Sequence, residues 1–468
     1  MSAHAALLID FGSTYTKLRA VDLDAARLIG TGQGPSTVRT DVRIGMRAAL
    51  SDLEAHLGTL PRFRYRLASS SAAGGLRMVT IGLVRELTVE AARQAALGAG
   101  AKLVGTFVNK LTRGDIGAIE ALAPDIVLLA GGTDGGNTEV ILHNASMLAN
   151  SAIDAPIVYA GNRVAADDAR EILAKKSVTV AGNVMPELGI LGTDSAREAI
   201  RNIFIARIVH AKGIDRAQEM FDDVMMPTPA AVMEGARLLA DGVGRNSGLG
   251  ELLVVDPGGA TTDVHSIASG ESKTGAIPKG LPEPRVKRTV EGDLGMRHSA
   301  ASVVETAGAE RIAEQAHMSV GDVAAMLARI AGNVEMIPQT PREHAFDRAL
   351  LATAIEIAVR RHAGTIETVY TALGPATIQR GKDLSGIQIV VATGGAPTHL
   401  GEHDALLEAM RAAPSDPHSL RPRAPRLYVD RDYMLFGVGL LASVEPQAAF
   451  AVARHSVIPA DRVEEVAQ

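Results

Sequence analysis

Short aliphatic runs that stop at glycine recur along this chain. Ala5–Ile9, Leu252–Val255, Ile126–Leu129 and Ile389–Ala392 are each followed within a few residues by Gly12, the pair Gly258–Gly259, the pair Gly131–Gly132 and the pair Gly394–Gly395. Continuous apolar runs of this length, bounded by turn residues, read as strands buried on both faces. Two of them, LLIDFGSTYTK (Leu7 to Lys17) and LLVVDPGGATTDVHS (Leu252 to Ser266), read as strand, tight turn, strand, with an aspartate closing the first strand. A helical stretch is expected from Val42 to Leu57 and a strand from Arg64 to Ala68. Leu87 to Val108 reads as a helix feeding a strand, with Gly98 and Gly100 as stop signals. Strands starting at Asp125, Pro156 and Val178 alternate with helical stretches such as Arg163 to Lys175, a rhythm that implies a parallel sheet with helices on its faces. Residues 109–225 therefore read as an inserted α/β domain, whose glycines at Gly131 to Gly136 and Gly161 border the crevice where open sheets commonly take ligands. Later helices are expected over Ser319 to Gly332, capped by Ser319, and over His344 to Tyr370, before a last strand at Leu427 to Val429.

The paired hairpins carry the candidate chemistry. Gly12, Gly258 and Gly259 let backbone approach phosphate oxygens with no Cβ in the way, and successive amides in such turns, Ala260 included, form an anion-binding concavity. Ser13, Thr14 and Thr16 add hydroxyls to the first turn, and Thr261 and Thr262 to the second. Lys17 adds a point charge for phosphate. Asp10 and Asp256 end their strands facing the same gap, where carboxylate oxygens suit Mg²⁺ held through water. The third element, IQIVVATGGAPTHL, ends in Gly394, Gly395 and Ala396, small enough for an adenine ring to slide against backbone.

In this order, the three segments resemble the phosphate-1, phosphate-2 and adenosine motifs of the superfamily that holds actin, the heat-shock chaperone ATPases and the sugar kinases. MPTPAAVMEGARLL (Met226 to Leu239) resembles its connecting helix, EGDLGMRHS (Glu291 to Ser299) the stretch after the second hairpin, and DRDYMLFGVGLLA (Asp430 to Ala442) the final helix between the lobes. Over nearly its full length the chain resembles the MutL family, accessory proteins of adenosylcobalamin-dependent glutamate mutase, most distinctively in DFGSTYTK and in LLAGGTDGGNTEVILHNA (Leu128 to Ala145).

The resemblance implies an α/β fold of two actin-like (RNase H-like) ATPase lobes around a nucleotide cleft, with a Rossmann-like insertion. The lobes would occupy residues 1–108 and 246–430, with 226–245 completing the first and 431–468 forming the interlobe helix and tail. It implies ATP and Mg²⁺ as cofactors and a slow ATPase that reactivates a mutase by releasing damaged cobalamin. Asp10, Asp256 and Thr261 would hold the ion or position water, and mutase subunits would be the partners. Relatives in the chaperone branch carry a carboxylate where this chain has Met226, so the group that orients water is open. A small-molecule kinase and a non-catalytic scaffold remain as alternatives, as does a homo-oligomer.

Composition narrows the field further. A net charge of −6 and 3% aromatic residues without Trp give no case for nucleic acid. The absence of cysteine excludes disulfides and cysteine-ligated iron–sulfur clusters. With no leader pattern before Leu7 and no apolar run long enough for a bilayer, the expected location is cytoplasmic and off the membrane. RPRAPR (Arg421 to Arg426) reads as a solvated loop, and RLASSSAAGG (Arg66 to Gly75) as a connection. DVHSIASG (Asp263 to Gly270) approaches a cobalt-ligating run, but its glycine falls late and His265 lies on a strand. HLGEH (His399 to His403) fits a zinc-protease pattern interrupted by Gly401. Neither is taken as a metal site, and no P-loop occurs.

Overall fold

The computed structural model describes residues 4–12, 15–37, 41–70, 76–211, 221–222, 225–272, 275–372, 374–400 and 403–463. Strands β1 (Ala5–Phe11), β2 (Tyr15–Asp22) and β3 (Arg27–Pro35) form an antiparallel meander. Helix α1 (Val42–Leu57) starts where the Asp41 carboxylate accepts from the Arg43 amide, and it buries Val42, Met46, Ala49 and Leu53 against the sheet. It packs so close that a Cβ on Gly32 of β3 would lie 2.2 Å from the Ala49 carbonyl oxygen. β4 (Phe63–Ser70) then runs parallel beside β1.

Here the chain leaves the first lobe. β5 (Leu76–Gly82), α2 (Glu90–Gly98), β6 (Ala101–Val108), α3 (Arg113–Leu122), β7 (Ile126–Leu129), α4 (Glu139–Ala149), β8 (Ile157–Tyr159), α5 (Ala166–Ile172), β9 (Val178–Val180) and α6 (Asp194–Ala211) follow in alternation. The five strands form one parallel sheet, ordered β6-β5-β7-β8-β9. Met78, Ile126 and Leu128 face one core and Val79, Ile81, Val127 and Leu129 another, which is why these strands read as unbroken apolar runs. The boundary expected at residue 109 cuts through this sheet. Leu76–Gly82, a strand not expected from the sequence, pairs with both Ala101–Val108 and Ile126–Leu129, so these two strands within residues 1–108 belong to the insertion's sheet. β10 (Met225–Pro227) returns beside β4 and completes the lobe's order, β10-β4-β1-β2-β3.

After α7 (Thr228–Asp241) and a small hairpin, β11 (Gly242–Val243) and β12 (Asn246–Ser247), the second lobe repeats the pattern. β13 (Leu252–Pro257) and β14 (Thr262–Ile267) pair antiparallel; beyond β15 (Ile277–Lys279), β16 (Val286–Glu291) extends the meander. α8 (Ala300–Ala307), α9 (Ala309–Gln315), α10 (Val320–Gly332) and α11 (Pro341–His362) cover it. Ser319 caps α10 as expected, in a reciprocal box with Asp322. The helix expected to run to Tyr370 ends at His362. Past Gly364 the β-branched residues Thr365, Ile366, Thr368 and Val369 form β17 (Thr365–Thr371), which pairs with β18 (Gly374–Arg380) and, through it, with β15. β19 (Ile389–Ala392) lies parallel to β13; α12 (Gly395–Leu400) and α13 (His403–Met410) lead to β20 (Arg426–Asp430), parallel to β19. In the loop expected to be solvated, Arg421 is 2% exposed, because its guanidinium turns inward to Ser419 Oγ.

α14 (Leu435–Leu441), α15 (Pro446–Ser456) and β21 (Val457–Pro459) close the chain. α14 crosses α7 between the lobes, with Leu8, Val254 and Val391 in their common core. The crossing needs bare backbone: a Cβ on Gly439 would sit 1.8 Å from the Ala231 carbonyl oxygen, and one on Gly235 2.3 Å from that of Leu435. Two lobes of matching topology, joined by crossed helices and carrying a Rossmann-like insertion, make an actin-like α/β molecule. Among the described residues no helix is long and apolar enough to cross a membrane.

Candidate functional site

The two hairpins have the same backbone construction. The Gly12 amide donates to the Tyr15 carbonyl at 2.9 Å, and the Gly258 amide to the Thr261 carbonyl at 2.8 Å. Glycine is required at the first, where a Cβ would lie 2.6 Å from the Tyr15 oxygen. Asp10 stands opposite Lys17 in its ladder, and Asp256 opposite Asp263. Ser13 and Thr14 lie outside the described residues.

The third segment meets the second at Asp256. The Thr393 amide donates to the Val255 carbonyl at 3.0 Å, so the strand end carries Gly394 alongside. Gly394 has φ +95°, and a Cβ there would come within 2.6 Å of Asp256 Oδ1. Gly395 and Ala396 open α12 immediately beyond. From the first lobe, Lys17 feels both Asp10 and Asp256. Asp10, Lys17, Asp256 and Gly394 therefore come together where the two lobes meet.

The two aspartates differ in how they are held. Asp10 is 2% exposed; Thr228 Oγ1 donates to its Oδ1 at 2.7 Å and the Tyr433 hydroxyl to its Oδ2 at 3.4 Å. Burial raises its carboxyl, opposed by the Lys17 charge and these hydroxyls. Asp256 is pushed up to about 7, first by burial and then by the negative charges of Asp263, Asp10 and Asp430, with Lys17 opposing. Burial lowers Lys17 in turn, and its Nζ lies 4.2 Å from the centre of the Tyr433 ring.

The second turn is clamped from behind. The Met296 amide donates to the Gly258 carbonyl at 3.0 Å, and those of Arg297 and His298 to the Gly259 carbonyl at 2.8 Å. Ser299 Oγ donates to the Ala260 carbonyl at 2.9 Å. With the carbonyls fixed on one side, the amides of the same peptide planes, those of Gly259, Ala260 and Thr261, face the other way, as an anion nest requires. Thr16 and Thr262 do not join this surface. Strand alternation sends them to the face opposite Lys17 and Asp263. Thr16 is buried, with its hydroxyl beside Gly45 of α1, and Thr262 donates to the Leu294 carbonyl.

Several site residues were not legible as such. Met226 is 3% exposed and packs into the interlobe core, level with Ser69 and, through it, with Asp10 in the strand register. Two residues on, Thr228 reaches the carboxylate; counting by the strand period from Met226 would have offered it. Tyr433 has φ +51°, an outlier for a bulky residue, and comes from a segment far away in sequence. Asp430 accepts from the Met434 and Leu435 amides at 2.8 and 2.9 Å and from Thr393 Oγ1 at 2.7 Å, which ties β20, β19 and the start of α14 together.

Among the described residues no group of three or more His, Cys, Asp or Glu side chains could cage a metal ion. Mg²⁺ keeps several of its waters and is commonly held by one or two carboxylates plus phosphate oxygens. Burial first, and then the crowding of negative charge, raise Asp256, and the second is what a divalent cation would relieve. His265 is fully buried within β14. The HLGEH string includes Gly401 and Glu402, outside the described residues, as are residues 71–75 of the Arg66 to Gly75 run.

Similarity to known proteins extends over almost the whole chain. The family model "MutL protein" matches residues 6–457. Protein MutL of Clostridium tetanomorphum is 44% identical over 458 residues, covering 97% of this chain and 99% of that protein. Among solved structures, xylulose kinase from Bifidobacterium adolescentis aligns at 12% identity and a TM-score of 0.32, over 97% of this chain and 95% of that one. A glycerol dehydratase reactivase aligns at 11% identity and a TM-score of 0.33, over 94% and 99%. Matched from the first hairpin through the last helix, the chain belongs to the MutL protein family.

Proposed function

We propose that this protein is an ATP-dependent reactivating factor for an adenosylcobalamin-dependent mutase of the glutamate mutase kind, acting in the cytoplasm. The observation that carries the nucleotide part is the meeting of Asp10, Lys17, Asp256 and Gly394 where the two lobes join. Lys17 and the amides of the Gly258–Thr261 turn would take the phosphates, and Gly394 to Ala396 the adenosine. Asp10 and Asp256 would hold Mg²⁺ through water, and the ion would supply charge neutralisation at the phosphates. Thr228, on the first turn of the connecting helix, fixes Asp10 and is the best-placed hydroxyl to orient water beside it. ATP and ADP states then need differ only in lobe closure about the α7–α14 crossing. Family membership supports the mutase part: the insertion would contact the cobalamin-binding subunit, and, seated between β4 and β10, it would move with lobe rotation.

The test is phosphate release measured with no acceptor present. The reading expects slow ATP turnover that rises when an inactivated mutase is added, with corrin appearing free in solution. Phosphate transfer to a metabolite would instead establish a small-molecule kinase. Calorimetry detecting no heat on titration with Mg·ATP would overturn the nucleotide reading altogether.

A further inference from the structure

One buried ion pair ties the second hairpin to the inserted domain. Asp263, 7% exposed, stands directly across the ladder from Asp256. A carboxylate so placed needs a counter-charge. It comes from Arg288 on β16, 5% exposed, whose Nε donates to Asp263 Oδ1 at 2.8 Å. The other carboxylate oxygen accepts from Thr261 Oγ1 at 3.3 Å. Asp263 thus stands between the turn that faces the cleft and a buried guanidinium.

The remaining donors of that guanidinium leave the second lobe. Arg288 Nη1 donates to the Leu97 carbonyl at 3.0 Å and the Ala101 carbonyl at 3.2 Å. These oxygens belong to the last turn of α2 and the first residue of β6; the Leu97 carbonyl also accepts from the Gly100 amide at 3.0 Å, and a cation at a helix C-terminus is favoured by the helix dipole. The same corner presses on the end of β10 and the start of the connecting helix: Gly100 has φ +89°, and a Cβ there would lie 2.8 Å from Pro227 Cβ and 3.4 Å from Ala230 Cβ. Lys102 lies against Gly292, and its charge acts on Asp293. Residues 97–102 of the insertion are therefore gripped from two sides by elements that build the cleft.

We propose that Arg288 is a positioning residue that couples the state of the Gly258–Thr261 turn to the inserted domain. Its planar fork holds Asp263 on one side and two carbonyls of the insertion on the other, so a shift of the turn is passed to the α2–β6 corner instead of being absorbed. A lysine keeps the charge but is a single point and cannot hold both ends. The inference rests on reading the cleft as a nucleotide site.

Hydrogen exchange at residues 97–102 and mutase affinity, each measured with Mg·ATP and with Mg·ADP, test it in the full chain. In the wild type, exchange at these amides should differ between nucleotides, and mutase affinity should differ by about 5–150-fold, the usual size of coupling between two sites. Arg288→Lys should bind Mg·ATP as the wild type does, yet show the same exchange and the same mutase affinity in both nucleotides. Undiminished differences in this variant would overturn the proposal. A wild type that binds Mg·ATP but shows neither difference would also overturn it and leave the nucleotide reading standing; failure to bind Mg·ATP would remove the nucleotide reading itself. Should Arg288→Lys not fold, Thr261→Val cuts the relay at its other end. At saturating nucleotide it should likewise lose the difference at 97–102, and retention would overturn the coupling.

Discussion

The first and second hairpins share one backbone and differ in everything that reaches them from elsewhere. Each has an aspartate closing a buried strand, a glycine two residues on, and one amide-to-carbonyl bond closing the turn at 2.9 or 2.8 Å. Opposite Asp10 stands a lysine; opposite Asp256 stands another carboxylate. Asp10 is held by hydroxyls from Thr228 and Tyr433, both on segments that cross between the lobes. Asp256 is governed by burial and by the surrounding charges, which together lift it to about 7. A repeated turn thus supplies the scaffold. The asymmetry makes Asp10 a tethered carboxylate, and on the proposed nucleotide reading it leaves Asp256 to the cation.

The comparison can be broken at its foundation first. Gly439→Ala drives a methyl into the Ala231 carbonyl oxygen and should part the lobes, costing at least the ~1–3 kcal/mol usual for overpacking. Denaturant midpoints check this, and an unchanged midpoint would mean the crossing tolerates separation. Asp256→Asn comes next, with Mg²⁺-dependent ATP affinity expected to fall about 10–100-fold, the range for groups that act on a metal through its bound ligands. Calorimetry against Asp10→Asn sharpens the contrast, since equal losses would make the two carboxylates equivalent. Thr228→Val leaves a buried oxygen of Asp10 without its donor and should cost about 1–3 kcal/mol of stability. The same change at Thr261, which is partly exposed, should cost less.

The smallest effect is in pH. With Asp256 near 7, Mg·ATP affinity should drop about tenfold from pH 8 to pH 6, as one proton competes with the ion. Asp256→Asn should flatten that slope. Stability of the ligand-free protein runs the other way. A carboxyl whose folded value exceeds its unfolded 3.8 contributes stability in full below that pH, and the contribution is lost as pH rises through about 7. Melting curves across this window would show the opposition, and a rise in stability from this group with pH would refute the assignment.

Much of this was legible along the chain. The hairpins, the glycine-ended strands, helix α1 and the capped helix α10 all follow from local periodicity and turn chemistry, which depend on neighbours in sequence. The insertion was legible as a parallel unit, but not where it starts. β5 looks locally like any lobe strand, and its membership is decided by pairing with β7, many residues later. The stretch after Gly364 was lost for a related reason, because its partner in β18 and not its own periodicity makes it a strand.

By itself, the sequence determined the family, the two turns and the carboxylates at their mouths, since glycine at the turns and aspartate after an apolar strand are local necessities. Tertiary structure alone decided which hydroxyls face the cleft, turning Thr16 and Thr262 away and bringing Thr228 and Tyr433 in. It alone set Asp10 and Asp256 apart, because a carboxylate's proton affinity depends on burial and on charges from segments that only folding places beside it.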